Sequence, residues 1–156
     1  MLKRASHRFA RWRALAPAQR RTLVAACLAM PLFWIGLHTA GLKRVRAFVE
    51  GAPLHTAPQT PPPETRARAL GELVNLAARR GPFPASCLTR SLVLQWLLRR
   101  HGIAAQLRIG VRRLQGPLDA HAWVEYGGVP VNDRADVAND YAVFGQLPPA
   151  AARRRP

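Results

Sequence analysis

A run of twenty residues without a charged side chain, residues 23–42, constrains this chain more than any other feature of its sequence. The run is long enough to span a membrane, but basic residues flank it on both sides and give it no preferred orientation across a bilayer. Pro31 in its middle is expected to bend or break a helix. Three placements stay open: packing on the domain, lying on a membrane surface, or spanning the bilayer. We favour a helix, or two half-helices, in one of the first two.

The charge of the chain is strongly basic and unevenly distributed. The 156 residues carry 24 Lys and Arg against 8 Asp and Glu, a net charge of +16. The first fifty residues hold ten basic side chains and one acid, Glu50, whereas residues 116–145 hold five acids and one basic side chain, Arg134. Such an excess predicts an anionic partner. Because the sequence has no nucleic-acid-binding motif, we expect a solvated or membrane-facing surface rather than a nucleic-acid site.

The chain length suits one domain, and the residue patterns predict an α+β fold. We divide the chain into a basic and hydrophobic helical segment (residues 1–50), a Pro-rich linker (51–63), a main domain (64–147) and a basic tail (148–156). Apolar residues at helical spacing predict helices over residues 64–80 and 86–100, the second followed by Gly102 as a left-handed cap. Alternating apolar residues predict strands over residues 106–113, 121–125 and 129–133. Helices therefore precede a small antiparallel sheet and pack on it.

Two cysteines are too few for a disulfide framework or an unaided zinc site, which favours a reducing, cytoplasmic setting. Cys87 opens the second predicted helix, after Ser86 as a possible N-cap. There the helix dipole and unpaired backbone N–H groups favour the thiolate, the nucleophilic form of cysteine. The alternative is a small buried apolar side chain, and that is our interpretation of Cys27, which lies inside the uncharged run.

A cysteine nucleophile needs a base and a group that orients the base. Of the five histidines, His121 is the candidate base because it begins a strand that follows the Cys87 helix. A three-residue hairpin loop over residues 126–128 would place Glu125 opposite Val129, and His121 opposite Asp133 at about 5 Å. A two-residue Gly-Gly loop would shift the register and put Asp133 on the other face. Asp136 and Asp140 are the rival carboxylates.

Five sequence blocks occur together in one order: CLTRSL (87–92), LLRRHGI (97–103), LRIGV (107–111), AHAWVE (120–125) and GVPVND (128–133). Together they resemble the transglutaminase-like leader peptidases of lasso-peptide biosynthesis, over about residues 64–147. The resemblance implies a transglutaminase-like (papain-like) cysteine protease core and a catalytic triad of Cys87, His121 and Asp133. The implied activity is removal of the leader from a ribosomally made precursor peptide. The backbone N–H of Cys87 is a candidate oxyanion donor, and no metal or organic cofactor is expected.

The resemblance also implies partners. A cyclase closes the freed core peptide, and family members read the leader with a recognition domain that is either fused or separate. Residues 1–50 are basic and apolar rather than a winged β-strand module, so we expect a stand-alone protease that works with a separate leader-recognition protein. We expect a cytoplasmic protein in which residues 23–42 serve for docking or for membrane-surface contact. Leu23, Leu28, Leu32, Phe33 and Trp34 are the candidate contact residues.

Two other functions stay open. A transglutaminase or acyltransferase would use the same triad but transfer the acyl group to an amine, which residue types alone do not distinguish. A non-enzymatic basic module for nucleic acid or anionic lipid would account for the charge without using the triad.

Overall fold

The computed structural model describes residues 15–54, 60–81, 83, 85–113 and 118–144. Four helices come first: α1 (Pro17–Thr39), α2 (Gly41–Gly51), α3 (Pro63–Arg80) and α4 (Cys87–Arg100). Strands β1 (Gln106–Arg113), β2 (Leu118–Tyr126) and β3 (Val129–Pro130) follow, then the short helix α5 (Val137–Asp140) and strand β4 (Ala142–Val143). The predicted α+β order is confirmed. The predicted tail, 148–156, and linker residues 55–59 lie outside the described residues.

The uncharged run forms most of α1 and packs on the domain. Helix α1 continues through Pro31 without a break and ends at Thr39. The chain instead breaks at Ala40–Gly41, where Gly41 adopts a left-handed φ of +79° that only glycine takes at low cost. Of the two predicted alternatives, one helix is confirmed, and a break into two half-helices at Pro31 is wrong. By length and composition α1 could cross a membrane, a test that the core helix of a globular domain also passes.

Helix α4 lies at the centre of the fold. It contacts α1, α3 and strand β2, and this position explains why it is buried on most of its circumference, at Leu92, Val93, Leu94, Leu97 and Leu98. Its bounds match the prediction: Ser86 caps the helix by accepting the N–H of Thr89 at 3.2 Å, and Gly102 follows with a φ of +73°. One hydrophobic core includes residues from α1 through Val131, so helices on both sides of the Pro-rich segment share it.

The sheet is antiparallel with strand order β3-β2-β1-β4. Strand β1 has the predicted bounds and pairs along its full length with β2, with Gly110 opposite His121. The β2–β3 hairpin differs from the prediction, because Gly127 and Gly128 both have positive φ and form a two-residue turn. Tyr126 therefore pairs with Val129, and Glu125 with Pro130. Two successive positive φ values suit a two-residue turn whose twist matches the strands, so the predicted three-residue loop is wrong by one residue.

Candidate active site

Cys87 is the first residue of α4, directly after the Ser86 cap, and its thiol is half-buried and free. One turn further along, Ser91 donates its hydroxyl hydrogen to the Ala122 carbonyl at 2.9 Å. Residues four apart in a helix share a face. The face of α4 that begins with Cys87 is therefore the face that contacts β2 next to His121.

His121 and Asp133 are hydrogen-bonded, with His121 Nε2 2.7 Å from Asp133 Oδ2. The other carboxylate oxygen, Oδ1, accepts the backbone N–H of Arg134 at 2.9 Å. With Nε2 engaged by the carboxylate, the Nδ1 atom of His121 is the ring nitrogen that remains to exchange a proton with a substrate or a thiol. This is the orientation that a base held by a carboxylate requires.

The His121–Asp133 pair forms although the hairpin register differs from the predicted one. The ladder continues as far as the N–H of Val131, which donates to the Val124 carbonyl at 2.9 Å. The N–H of Val124, however, is accepted at 2.8 Å by the side-chain oxygen of Asn132 instead of a ladder carbonyl. The chain bends over residues 131–133 and leaves the ladder. The expectation that a two-residue turn would carry Asp133 to the other face is therefore wrong, because strand alternation ends before Asp133.

A polar network holds the segment that carries Asp133. The side-chain amide of Asn132 donates to Ser91 Oγ at 3.1 Å, and Asn75 on α3 donates to the Asn132 carbonyl at 3.0 Å. Ser91 and Asn132 are buried. Buried polar groups that satisfy one another specify a single arrangement of the chain, so α3, α4 and β2 together position Asp133.

Arg90 brings a positive charge to the same carboxylate. Its Nη2 atom lies 3.6 Å from Asp133 Oδ2, and both side chains are largely buried. Arg90 follows Cys87 by three positions on α4 and therefore lies near it on the helix surface. The sequence prediction did not assign a role to Arg90, although it is part of the CLTRSL block.

Tyr141, which follows α5, covers one side of the His121 ring. The two ring centroids are 5.2 Å apart and the planes are inclined by 29°. The Tyr141 hydroxyl donates to Asp119 Oδ2 at 3.0 Å, and Arg112 also donates to that oxygen, at 2.7 Å. The hydrogen bond from Arg112, followed by that from Tyr141, lowers the pKa of Asp119. Desolvation, followed by the bond to Asp119, raises the pKa of Tyr141.

Gly110 on β1 makes room for this arrangement. A Cβ atom at this position would lie 2.7 Å from Tyr141 Cβ and 3.1 Å from the Trp123 ring, which is too close for any side chain. Trp123 also stacks with His121, at 6.2 Å between centroids. The imidazole thus lies in an aromatic cluster that restricts its orientation.

The remaining candidate residues lie elsewhere. Asp136 and Asp140 are exposed, and both pair with Arg134. Cys27 is half-buried in α1, where burial raises the pKa of its thiol. Within the described part of the chain, no group of three or more His, Cys, Asp and Glu residues could hold a metal ion.

Comparison with known proteins identifies the family. The family model described as the transglutaminase-like superfamily matches residues 33–145, well over half of the chain. The chain belongs to the transglutaminase-like superfamily. The superfamily match begins within α1, so helices that the sequence resemblance did not include are part of the matched region.

A second comparison finds a curated relative. The chain is 37% identical over 65 residues to the protein named microcin J25-processing protein from Escherichia coli. The match covers 42% of this chain and 30% of the length of that protein. No solved structure matches the chain.

Proposed function

We propose that this protein is a cysteine peptidase that removes the leader from a lasso-peptide precursor. The observation that carries the proposal is the 2.7 Å hydrogen bond between His121 and Asp133, beside the helix that starts at Cys87. Membership of the transglutaminase-like superfamily and the similarity to a microcin-processing protein support the same chemistry. The proposed catalytic residues are Cys87 as nucleophile, His121 as base and Asp133 as the group that orients the base.

In the proposed mechanism, the Cys87 sulfur attacks the carbonyl carbon at the leader–core junction while its proton passes to His121 Nδ1. The backbone N–H of Cys87 donates to the oxyanion that forms. His121 then gives the proton to the leaving amine, and the peptide C–N bond breaks to leave a thioester. Water, deprotonated by His121, hydrolyses the thioester and restores the thiol. Throughout, Asp133 holds the imidazole and stabilises its protonated form.

The proposal is tested with the full chain and a precursor taken from the reading frames next to its own. Intact mass measurement should show a gain of one water at a single peptide bond. Cys87→Ala should abolish the reaction with an unchanged far-UV spectrum, and the matched variant Cys27→Ala should react like the wild type. Full activity of Cys87→Ala would refute the assignment. Loss of ammonia from glutamine instead of water addition would favour the transglutaminase alternative.

We further propose that a separate leader-recognition protein delivers the precursor, and that a lasso cyclase consumes the freed core peptide. The helices described before α3 contribute to the core of the fold rather than forming a separate leader-binding unit. A tether between the two proteins would raise the effective concentration of the precursor at Cys87. Adding the recognition protein should therefore raise kcat/KM, and equal rates with and without it would argue against delivery by a partner.

A further inference from the structure

One side of α1 carries an exposed apolar stripe formed by Val24, Leu28, Leu32 and Ile35. These residues follow one another at helical spacing and lie along one line of the helix surface. Leu28 and Leu32 are 64% and 67% exposed, which is high for leucine side chains in a folded domain. Single exposed apolar residues are normal, but a contiguous apolar patch indicates a binding surface.

The opposite face of α1 is buried, so the stripe points away from the core. Ala26, Ala29, Met30 and Phe33 pack into the core, where α1 contacts α3 and α4. Because α1 is attached to the domain from Ala26 to Phe33, it cannot be surrounded by lipid there, and the stripe can meet a membrane only from its surface.

The apolar surface extends from the stripe towards α2. A groove of about 370 Å³ adjoins Leu32 and is lined mainly by apolar residues, including Phe33, Phe48 and Trp96. Phe48 on α2 is 63% exposed. Stripe and groove therefore form one apolar surface made by the first two helices.

Basic side chains flank this surface, and α1 carries no Asp or Glu. Arg21 lies at one end of α1 in line with the stripe, Lys43 and Arg44 follow its other end, and all three are exposed. Residues 1–49 contain no Asp or Glu, and the first acid, Glu50, is paired with Arg46 at 3.0 Å. Of the remaining acids, Glu64 and Glu72 are exposed on α3, and the other five lie on β2 and the segments that follow it.

We propose that this face binds an anionic phospholipid surface, with α1 lying parallel to the membrane plane. An apolar helix face with basic residues at its margins is the pattern of interfacial helices, in which the apolar side chains enter the acyl boundary and the cations meet the headgroups. The basic residues at the ends of α1 outnumber the one carboxylate on these two helices, Glu50, which is already paired with Arg46. This basic excess complements anionic headgroups better than the mixed polar rim of a protein interface. The proposal is independent of the peptidase reaction.

Flotation of the full chain with lipid vesicles tests the proposal. The protein should float with vesicles of phosphatidylglycerol and phosphatidylcholine, and far less with phosphatidylcholine alone. The double variant Leu28→Gln/Leu32→Gln should lower the partition coefficient by about tenfold or more, through lost apolar insertion. Arg21→Gln/Lys43→Gln should weaken binding and reduce its dependence on salt. Leu118→Gln is the matched control, because Leu118 is 66% exposed but lies on β2.

The remaining outcomes of these flotation experiments would contradict the proposal. Absence of flotation, equal binding to both kinds of vesicle, or full binding by a Leu28→Gln/Leu32→Gln protein with a native far-UV spectrum would overturn it. If the protein does not bind vesicles but forms a dimer, and Leu32→Gln dissociates that dimer, the face is a protein interface instead.

Discussion

Gly71 is the position where a single methyl group should affect the candidate active site from a distance. Gly71 is buried in the middle of α3. A Cβ atom there would lie 1.9 Å from the backbone oxygen of Val131 and 2.8 Å from its carbonyl carbon. Because Val131 precedes Asp133 by two residues, the contact that forbids a side chain at position 71 also sets the position of the carboxylate that we propose orients His121.

The expected change in the free energy of unfolding caused by Gly71→Ala follows from two opposing effects. Alanine is better than glycine in a helix by about 1 kcal/mol, whereas overpacking against a backbone atom costs about 3 kcal/mol. The net destabilisation of about 2 kcal/mol corresponds to a fall in Tm of about 4–8 °C for a chain of this size. To restore an ordinary contact of 3.4 Å, the Val131 oxygen must move by about 1.5 Å, the difference between 3.4 and 1.9.

A displacement of that size should be more damaging to activity than to stability. The hydrogen bond between His121 and Asp133 is 2.7 Å long and would not survive it, and a 1 Å misplacement can reduce a rate by about 100-fold. We therefore expect kcat for precursor cleavage to fall by about 100-fold in a protein that is still folded at room temperature. Thermal unfolding followed by circular dichroism and cleavage followed by mass spectrometry measure the two effects.

Gly51→Ala is the control for Gly71→Ala. Gly51 is the last residue of α2, its φ is ordinary, and a Cβ atom added there would have no neighbour within 4 Å. This substitution should leave Tm and kcat nearly unchanged. If Gly71→Ala instead raises Tm and cleaves at the wild-type rate, the segment of residues 131–133 does not need the space that glycine leaves, and the reasoning is wrong.

Three further predictions concern single side chains. Tyr141→Ala should lower kcat by about tenfold with little change in KM, because the ring no longer orients His121, whereas Tyr141→Phe keeps the ring and should retain most of the activity. Arg90→Ala should slow cleavage of the precursor, whereas Arg90→Lys should keep part of the wild-type rate, because the charge beside Asp133 matters more than the geometry of the guanidinium. His101 should make the fold less stable in mild acid. Burial, followed by the charges of Arg66 and Arg100, lowers the pKa of His101 below the ordinary 6.5. The unfolded chain therefore binds more protons than the folded one, and stability falls as the pH drops below that value. Urea denaturation at about pH 7.5 and about pH 5.5 should show a smaller loss of unfolding free energy in His101→Gln than in the wild type.

The elements that the sequence predicted best are those whose signals are local. The bounds of α4 and β1 follow from an apolar period, an N-cap serine and a left-handed glycine, and all of these act within a few residues. The placement of the uncharged run on the domain was among the open alternatives. A bend or break was expected at Pro31, whereas the chain breaks at Gly41. A proline without a backbone donor can be accommodated within a packed helix, whereas the left-handed Gly41 ends one outright.

The arrangement around Asp133 could not be predicted in the same way, because tertiary contacts determine it. Two arguments favoured Asp133 as the partner of His121: the family resemblance, and a hairpin register that does not occur. The two residues meet because the Asn132 side chain replaces a ladder carbonyl and because Ser91 and Asn75 hold the bend. The ring of Tyr141 over His121 and the close approach of Gly71 to Val131 likewise join residues far apart in the chain.

The rate at which iodoacetamide alkylates Cys87 is the most direct test of the central claim that Cys87 and His121 act together. The measurement needs no substrate, since the thiolate is the reactive form, and peptide mapping separates Cys87 from Cys27. At neutral pH, His121→Ala should slow alkylation of Cys87 by about tenfold or more and leave the rate at Cys27 unchanged. If Cys87 reacts equally fast in the wild type and in a folded His121→Ala protein, the imidazole does not activate the thiol, and the proposed catalytic triad is contradicted.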